Sequence, residues 1–487
     1  YLQQSEPFSG AARHRSLEST IDWSYRLLTD DQQGLLRRLA VFSSAVGIDD
    51  VAAVCDDGRG RGPLLQRLAE LVERSMVATA RRDGVTRYRL LDTIRAFAAG
   101  RSASLGEFDD VRWRHAVHYV NALDDLRSGL RGPGEADAVA RLDDIWPEVR
   151  VAVAWSIGAR RTDLAVRLVA GLGFEAVFRE RGEIVGWADD VLGLPGVIEQ
   201  PGADELLGTA ALADWGYGRF DRGLVRAEQA VALHRQRATP LSPDVAAALP
   251  LHLSLRGDLD ATVRMLQAHA VEAAAHGVMF AHVHTLTCAA MTLGFAGSPE
   301  ADQVLADAED VAARLGCPLL QAIAAFTRAI VVLDRRAEEA VAHARRCLAL
   351  AHSVRATWFL SAGTNYLVAA LARSAEPEST LAHLRAGLER QQRGGTVQSA
   401  ANSIRNTVVV LDRLGRAERA IPLIGWLDVN RPSIPGSPGM RSHPGELARR
   451  LRNELGQVRF EELRSAGADL MLPEVIGLAL QEISDVE

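Results

Sequence analysis

Residues 13–55 read RHRSLESTIDWSYRLLTDDQQGLLRRLAVFSSAVGIDDVAAVC, and their pattern is the strongest indication of the fold class. Its apolar residues recur at the spacing of amphipathic helices. One helix is predicted to end near Leu28, and Thr29 or Asp30 can cap the next one. A short third helix is predicted over 49–55, with two aspartates at its positive end. The apolar positions of the first two helices are Leu17, Ile21, Tyr25, Leu28, Leu35, Leu36, Leu39, Val41 and Phe42.

The next 50 residues extend this pattern into a small domain. Pro63 is suited to the first turn of a helix that runs to about Ser75. Two short strand-like runs, 75–80 and 85–90, flank the turn Arg81–Gly84, whose Asp-Gly pair is a hairpin signal. Helical spacing resumes over 91–101. We therefore predict a winged-helix domain of three helices plus a β-hairpin, within residues 13–103.

A weak repeat runs through most of the remaining chain. Short breaks recur about every 40 residues, and each has an acidic residue that opens a helix through the helix dipole. This period, with two helices per unit, is typical of an α-solenoid. The fold class is therefore mainly α, with the winged helix followed by a tetratricopeptide-like solenoid. The acidic residues are Asp221, Asp260, Glu300, Glu338, Glu378 and Glu418.

The domain organisation follows from these patterns. Polar residues 1–12 are predicted to form a linker, and a Pro/Gly-rich stretch is predicted to form a long loop. The full set of predicted segments is the linker 1–12, the winged helix 13–103, a helical connector with the first repeats over 104–200, repeats of period about 40 over 201–430, the loop 431–447 and C-terminal helices over 448–487.

Composition excludes several classes of function. All 55 basic residues are arginine, so a GxxxxGK[ST] phosphate-binding loop cannot be present. The net charge of −7 argues against a chain that coats nucleic acid with a broadly basic face. Neither a nucleophile elbow nor an HExxH motif occurs. We expect no catalytic, cofactor-binding or metal-binding residues, no membrane insertion, and a cytoplasmic location.

Histidine and cysteine residues within AAAHGVMFAHVHTLTC are the best candidates for a metal site. His284 and Cys288 share one helical face and offer two ligands. Their neighbours are alanine, valine and leucine, so we interpret them as residues packed between helices, and we interpret His115 and His118 in the same way. The other candidates are His276 and His282.

Charges on the winged helix bear on whether it binds DNA. Glu70 and Glu73 on the 63–75 helix would be repelled by phosphates, which favours a protein-facing surface. Basic residues in and around the wing, which is the hairpin turn Arg81–Gly84, favour the alternative, which is contact with nucleic acid. The candidates for contact with nucleic acid or with a partner domain are Arg81, Arg82 and Arg87.

The segments RHRSLESTIDWSYRLL (13–28), LLRRLAVF (35–42), LLQRLAELVERSMV (64–77) and RYRLLDTIRAF (87–97) resemble, in order, the winged-helix region of STAND-class signalling ATPases of the AfsR/LuxR type. DIWPEVRVAVAWSI (144–157) resembles the start of their tetratricopeptide-like sensor array. ELRSAGADLMLPEVIGLAL (462–480) resembles the end of such an array. The resemblance implies an ATPase domain upstream, which would bind ATP or ADP.

In this family the winged helix would restrain the ATPase domain in cis, and the repeats would bind a protein or small-molecule effector. Related switch ATPases carry a Met-His-Asp motif that contacts the nucleotide phosphate. Leu90-Leu91-Asp92 takes that place, and Leu91 cannot donate a hydrogen bond. Leu91 and Asp92 are therefore candidates for an interdomain contact. The resemblance implies a non-catalytic regulatory and sensor region of a transcription-controlling ATPase; the alternatives are a DNA-binding regulator and a stand-alone interaction scaffold.

Overall fold

The computed structural model describes residues 10–82, 84–374, 380–394, 397–430 and 438–485. Helices dominate these residues, and two strands form one antiparallel hairpin. The chain divides into two compact units. The first runs to Ser128 and includes Ala140–Leu168 and Gly193–Gln200; the second includes Gly129–Val139, Val169–Leu192 and the chain from Pro201 onward.

The winged helix lies in the first unit and has the predicted order of elements. Thr29 caps the second helix, because its Oγ1 accepts a hydrogen bond from the Gln32 backbone (3.3 Å) and the Gln32 side chain accepts one from the Thr29 N–H (2.9 Å). Ala78 pairs with Arg89 in the hairpin. The elements are α1 (Gly10–Arg26), α2 (Asp30–Leu39), α3 (Ile48–Cys55), α4 (Arg61–Glu73), β1 (Ala78–Arg82), β2 (Val85–Arg89) and α5 (Asp92–Ser104).

Several boundaries in this region differ from the prediction, and two of them have a clear physical reason. Residues 10–12 belong to α1 rather than to a linker, and residues 1–9 lie outside the described residues. Ala11 and Ala12 are strong helix formers, which extends the helix upstream. The first strand begins at Ala78 rather than Ser75, because Ser75 has a φ of +58° and ends α4 with a left-handed residue.

Five further helices connect the winged helix to the repeats. Two of them are long, and one is only 6 residues long. They are α6 (Phe108–Leu130), α7 (Glu135–Gly158), α8 (Thr162–Val169), α9 (Gly173–Phe178) and α10 (Glu183–Leu192).

Helical pairs of the second unit form the repeats. The predicted acidic residues Asp221, Asp260 and Glu338 lie in the first turn of the second helix of a pair, and Glu300 stands directly before another without a side-chain capping hydrogen bond. Glu418 lies in a 3₁₀ turn, Ala417–Ala420, and Glu378 lies outside the described residues. Repeats one to five are α11 (Ala203–Gly216) with α12 (Phe220–Arg237), α13 (Pro243–Leu255) with α14 (Leu259–Ala275), α15 (Met279–Ala296) with α16 (Ala301–Leu315), α17 (Pro318–Val332) with α18 (Ala337–Ser353), and α19 (Thr357–Leu371) with α20 (Leu381–Gly394).

The first helices of the repeats form the inner layer of this solenoid. Each packs on the first helix of the next repeat, and each second helix packs between two first helices. The inner helices are therefore apolar almost all round. α15 has the length and apolarity of a membrane span, but 72% of its residues are buried inside the protein, as expected of a core helix.

The C-terminal part corrects the predicted loop 431–447. Residues 431–437 lie outside the described residues, whereas 438–447 are helical. Leu447 and Leu451 share one face and are buried in the C-terminal core, so packing overrides the Pro/Gly-rich composition. The remaining elements are α21 (Val397–Arg413), α22 (Ile421–Val429), α23 (Pro438–Leu455), α24 (Gln457–Ala468) and α25 (Leu472–Ser484).

Candidate functional site

The exposed side of α4 is the surface that a winged helix-turn-helix offers to a DNA groove. α4 buries three leucines and packs against α2. Its carboxylate Glu70 accepts hydrogen bonds from Gln32 Nε2 (2.7 Å) and Gln66 Nε2 (3.1 Å). The exposed residues of its middle and last turns are Leu65, Gln66, Ala69 and Glu73. This face therefore combines apolar and polar groups with a carboxylate, a poor match to a phosphate backbone.

Arginines next to this face are paired with acidic residues. Arg61 Nη2 lies 2.7 Å from Asp49 Oδ1, and Arg67 Nη2 lies 3.0 Å from Asp57 Oδ1. The Arg67 hydrogen bonds hold the pKa of Asp57 well below its usual range. Because these carboxylates accompany the arginines, the surface carries little of the net positive charge that releases counterions from DNA.

The wing arginines divide into two groups. Arg87 Nη2 lies 2.6 Å from Asp144 Oδ2, and Arg82 Nη1 lies 3.1 Å from Asp144 Oδ1. The Arg87 side chain is only 15% exposed. Arg81 is exposed on β1, opposite Thr86. The structure therefore brings Arg82 and Arg87 together on one carboxylate, although the Arg82 side chain is still 67% exposed, and Arg81 is exposed as well.

Leu91 and Asp92 lie at the start of α5. Leu91 is the N-cap residue and is 47% exposed. Asp92 is exposed, and its Oδ1 lies 3.3 Å from Arg95 Nη2. An exposed leucine next to an exposed carboxylate can form a mixed apolar and polar contact with a neighbouring domain. The interdomain contact at these residues stays a prediction.

One face of α7 contacts the winged helix at several points, and sequence reasoning missed it. Arg141, Asp144 and Glu148 lie at i, i+3 and i+7, and we call them the α7 clamp. Asp144 forms the ion pairs with Arg82 and Arg87 of the hairpin. Arg141 Nη2 lies 3.4 Å from Asp50 Oδ1, at the start of α3. The helical spacing of these charges was visible in the sequence, but their partners were not.

Glu148 makes the most extensive contacts of the α7 clamp and is buried. Its Oε1 accepts hydrogen bonds from the backbone N–H groups of Ser43 (2.9 Å) and Ser44 (2.7 Å) and from both serine hydroxyls. His115 Nε2 lies 2.9 Å from its Oε2. Burial acts to raise the pKa of Glu148, but the hydrogen bonds from His115 and the serines outweigh it, and the pKa lies below its usual value.

Asp50 is a second buried carboxylate in this network. Its Oδ2 accepts a hydrogen bond from the Gly47 N–H (2.9 Å), and His118 Nε2 lies 3.0 Å from its Oδ1. Burial alone would raise its pKa, yet the His118 hydrogen bond and the Arg141 charge hold the pKa below its usual value. His115 and His118 are thus residues at a helix interface, each paired with an acid of the same unit.

The predicted histidine and cysteine cluster lies on and near α15. His284 Nε2 lies 3.6 Å from Cys288 Sγ, and both side chains are buried. His282 Nδ1 is 2.8 Å from a backbone carbonyl of α14, and His276 Nδ1 is 3.0 Å from another. Burial raises the pKa of the Cys288 thiol to about 12, which disfavours the thiolate that metals bind. Within the described ranges, no group of three or more His, Cys, Asp or Glu residues is placed to hold a metal ion.

His284 is expected to make the second unit sensitive to acid. Burial lowers its folded-state pKa from 6.5 to about 4. The unfolded chain therefore binds a proton at this residue below pH 6.5, whereas the folded chain does not until about pH 4. Its contribution to stability is complete above pH 6.5 and falls by up to about 3 kcal/mol as the pH drops to 4.

The variant His284→Phe keeps a ring against Phe174 and cannot titrate. Urea denaturation at several pH values between 4 and 7 should show a flatter stability profile for this variant than for the wild type. His276→Phe, at an exposed histidine, should keep the wild-type slope. An unchanged slope in His284→Phe would contradict the assignment.

Comparisons with known proteins agree with the described geometry. Residues 28–103 match the family model of a winged helix-turn-helix domain. A Mycobacterium tuberculosis protein provisionally named an HTH-type transcriptional regulator is 36% identical over 167 residues, which cover 33% of this chain and 18% of that protein. An uncharacterized protein of the same organism is 34% identical over 120 residues, which cover 24% of this chain and 30% of that protein.

One solved structure also aligns with this chain. The crystal structure of a Pyrococcus horikoshii STAND protein with a tetratricopeptide repeat sensor aligns with 96% of this chain and 68% of that chain, at 11% identity and a TM-score of 0.47. The matched segment spans less than a fifth of the mycobacterial regulator. Residues 28–103 are therefore a winged helix-turn-helix domain, within a chain that is similar over a third of its length to mycobacterial HTH-type regulators.

Proposed function

We propose that this chain is the regulatory and sensor region of a cytoplasmic, STAND-type signal-transduction ATPase that controls transcription. In this proposal the winged helix contacts and restrains an upstream nucleotide-binding domain, and the helical repeats bind an effector. The chain itself is non-catalytic, and ATP or ADP binds to the upstream domain. Similarity to HTH-type regulators supports the regulatory role.

The observation that carries the proposal is the pairing of charges on the winged-helix surface, together with its exposed apolar group. The α7 clamp holds Arg82 and Arg87, and the arginines beside α4 are paired with carboxylates. Leu91 instead presents an exposed apolar group at the start of α5. These features suit contact with protein better than contact with a DNA backbone.

A charge at Leu91 is expected to weaken the restraint. The experiment adds the chain to the nucleotide-binding domain encoded upstream in the same reading frame and measures ATP turnover. The wild-type chain should suppress turnover, and Leu91→Arg should raise it by at least about fivefold, the lower end of typical coupling between linked sites. Val85→Arg introduces the same charge at an exposed wing residue and should leave suppression intact. Absence of an upstream ATPase domain, or turnover unaffected by the chain, would contradict the proposal.

Binding to DNA is the second candidate, because Arg81, Arg82 and Arg89 remain exposed on the hairpin. We expect the whole chain to show no salt-dependent binding to duplex DNA, measured by fluorescence anisotropy at about 50 and about 200 mM salt. Binding that weakens with salt and is lost in Arg81→Glu would favour the DNA-binding regulator. The control is Arg235→Glu, at an exposed arginine of α12 in the second unit.

A further inference from the structure

The helix α9 does not belong to any repeat, yet it is the most completely buried helix of the second unit. All six of its residues are buried. A helix that is buried on every side must be surrounded by other elements. The elements around α9 are the inner helices of the solenoid.

The two aromatic residues of α9 reach distant repeats. The Phe174 ring lies edge-on to Phe280 of α15, with ring centroids 5.2 Å apart, and 4.9 Å from the His284 ring. The Phe178 ring lies 4.9 Å from Phe359 of α19. Residues four apart on one helical face thus contact repeats three and five.

The backbone at the start of this segment is held by repeats one and two. The Gly171 N–H donates to Thr209 Oγ1 of α11 (2.9 Å), and the Gly173 N–H donates to Asp244 Oδ2 of α13 (2.8 Å). A Cβ at Gly173 would lie 2.6 Å from Asp244 Oδ2, so only glycine permits this close approach. One short segment therefore contacts the first helices of repeats one, two, three and five.

Charged groups hold the other end. Arg179 Nε donates to the Val354 carbonyl at the end of α18 (3.0 Å), and its other nitrogens pair with Glu135 and Glu175. All three charged side chains are buried. The segment therefore has the features of a bound peptide: two aromatic anchors, a charged anchor, and backbone hydrogen bonds to its host.

We propose that the inner face of the repeats is a binding groove for a helical peptide with two aromatic residues four apart and a following arginine, and that residues 171–181 fill it as an internal ligand. An effector segment of the same chemistry competes with α9 for this groove. The inference rests on the proposed function, because it specifies the partner that the repeats bind.

Two features make exchange of the segment physically reasonable. Left-handed residues stand on both sides of α9, since Gly171 has a φ of +79° and Glu180 a φ of +53°, so the backbone bends sharply before and after the helix. The internal ligand also leaves buried polar atoms of the surrounding repeats without hydrogen bonds. Asp244 Oδ1 is buried without a hydrogen-bond partner among the described residues, as is Trp215 Nε1. A competing peptide with the same two aromatic residues would bury them in the same place. If it also donated a hydrogen bond to Asp244, it would make one contact that α9 does not make.

The test uses a fluorescent peptide with the sequence of residues 169–182, VAGLGFEAVFRERG, added to the whole chain. The double variant Phe174→Ala/Phe178→Ala weakens the internal ligand, so it should bind the peptide at least about tenfold more tightly than the wild type does. A peptide with both phenylalanines replaced by alanine is the control and should not bind. A variant with unchanged helical circular dichroism that fails to bind the peptide would overturn the proposal.

Hydrogen exchange on the wild-type chain gives a second measurement that does not depend on the variant. Amides of 173–181 should exchange at least about tenfold faster than those of α15 and α19, because the segment opens before its host unfolds. Equal rates would identify α9 as ordinary core and overturn the inference. Such a result would leave suppression of ATP turnover unaffected, because that assay does not require the groove.

Discussion

Replacing Glu148 with alanine is expected to destabilise the first compact unit by about 3–5 kcal/mol. The substitution leaves the N–H groups of Ser43 and Ser44 and the buried His115 without their shared acceptor. Each buried polar group that loses its partner costs about 1–3 kcal/mol. Hydrogen exchange of α2 and α3, together with urea denaturation, measures the loss.

Two variants of α7 serve as controls for Glu148. Asp137→Ala removes an exposed carboxylate from the first part of the same helix, which belongs to the second unit, and should change the stability of the first unit by less than about 1 kcal/mol. Glu148→Gln keeps an acceptor for the serines but loses the negative charge beside His115. Because the folded-state pKa of Glu148 is depressed, its stabilisation is present at neutral pH and is lost as the pH falls through that pKa. The difference between wild type and Glu148→Gln should therefore shrink in acid, and equal effects of Glu148→Ala and Asp137→Ala would contradict the role of the α7 clamp.

Replacing Arg179 with methionine is expected to destabilise the second unit by about 3–5 kcal/mol, measured by urea denaturation. The change leaves Glu135 and Glu175 buried without their shared cation, and only Glu175 keeps a second arginine, Arg181, whose Nε lies 3.3 Å from Glu175 Oε2. Burial already raises the pKa of Glu135, and the Arg179 charge only partly offsets this effect. The loss should therefore become smaller as the pH falls, because protonation neutralises Glu135, which has lost its only arginine partner among the described contacts.

A compensating variant distinguishes charge from packing at Arg179. If unpaired charge causes the loss, adding Glu135→Gln and Glu175→Gln to Arg179→Met should restore most of the stability. Arg235→Met, at an exposed arginine of α12, should change stability by less than about 1 kcal/mol. A triple variant as unstable as Arg179→Met alone would show that packing of the arginine stem dominates.

The winged helix and the repeats were predictable because their signals are local. Thr29 and Gln32 form a capping box within one turn, and the hairpin turn lies between two short runs of strand-like residues. The acidic residues at a period of about 40 lie at or next to helix starts wherever the structure describes them. Each pattern depends on neighbours within a few residues, so composition and spacing reveal it.

The α7 clamp and the internal ligand depend on contacts that spacing cannot reveal. Glu148 binds backbone groups 105 residues earlier in the chain, and Arg179 binds a carbonyl 175 residues later. The helical region 438–447 likewise owes its structure to burial of Leu447 in the C-terminal core. In each case a charged or Pro/Gly-rich segment would be interpreted as a surface feature from the sequence alone.

Local signals in the sequence therefore predict the kinds of element and their order, and the residue composition shows that a phosphate-binding lysine is absent. Those properties follow from helical periodicity, capping and residue type. The tertiary structure alone decided which arginines of the wing are held, which carboxylates are buried and which segment lies inside the repeats. Those properties depend on partners brought together by packing, and a buried charge is stable only where folding supplies its partner.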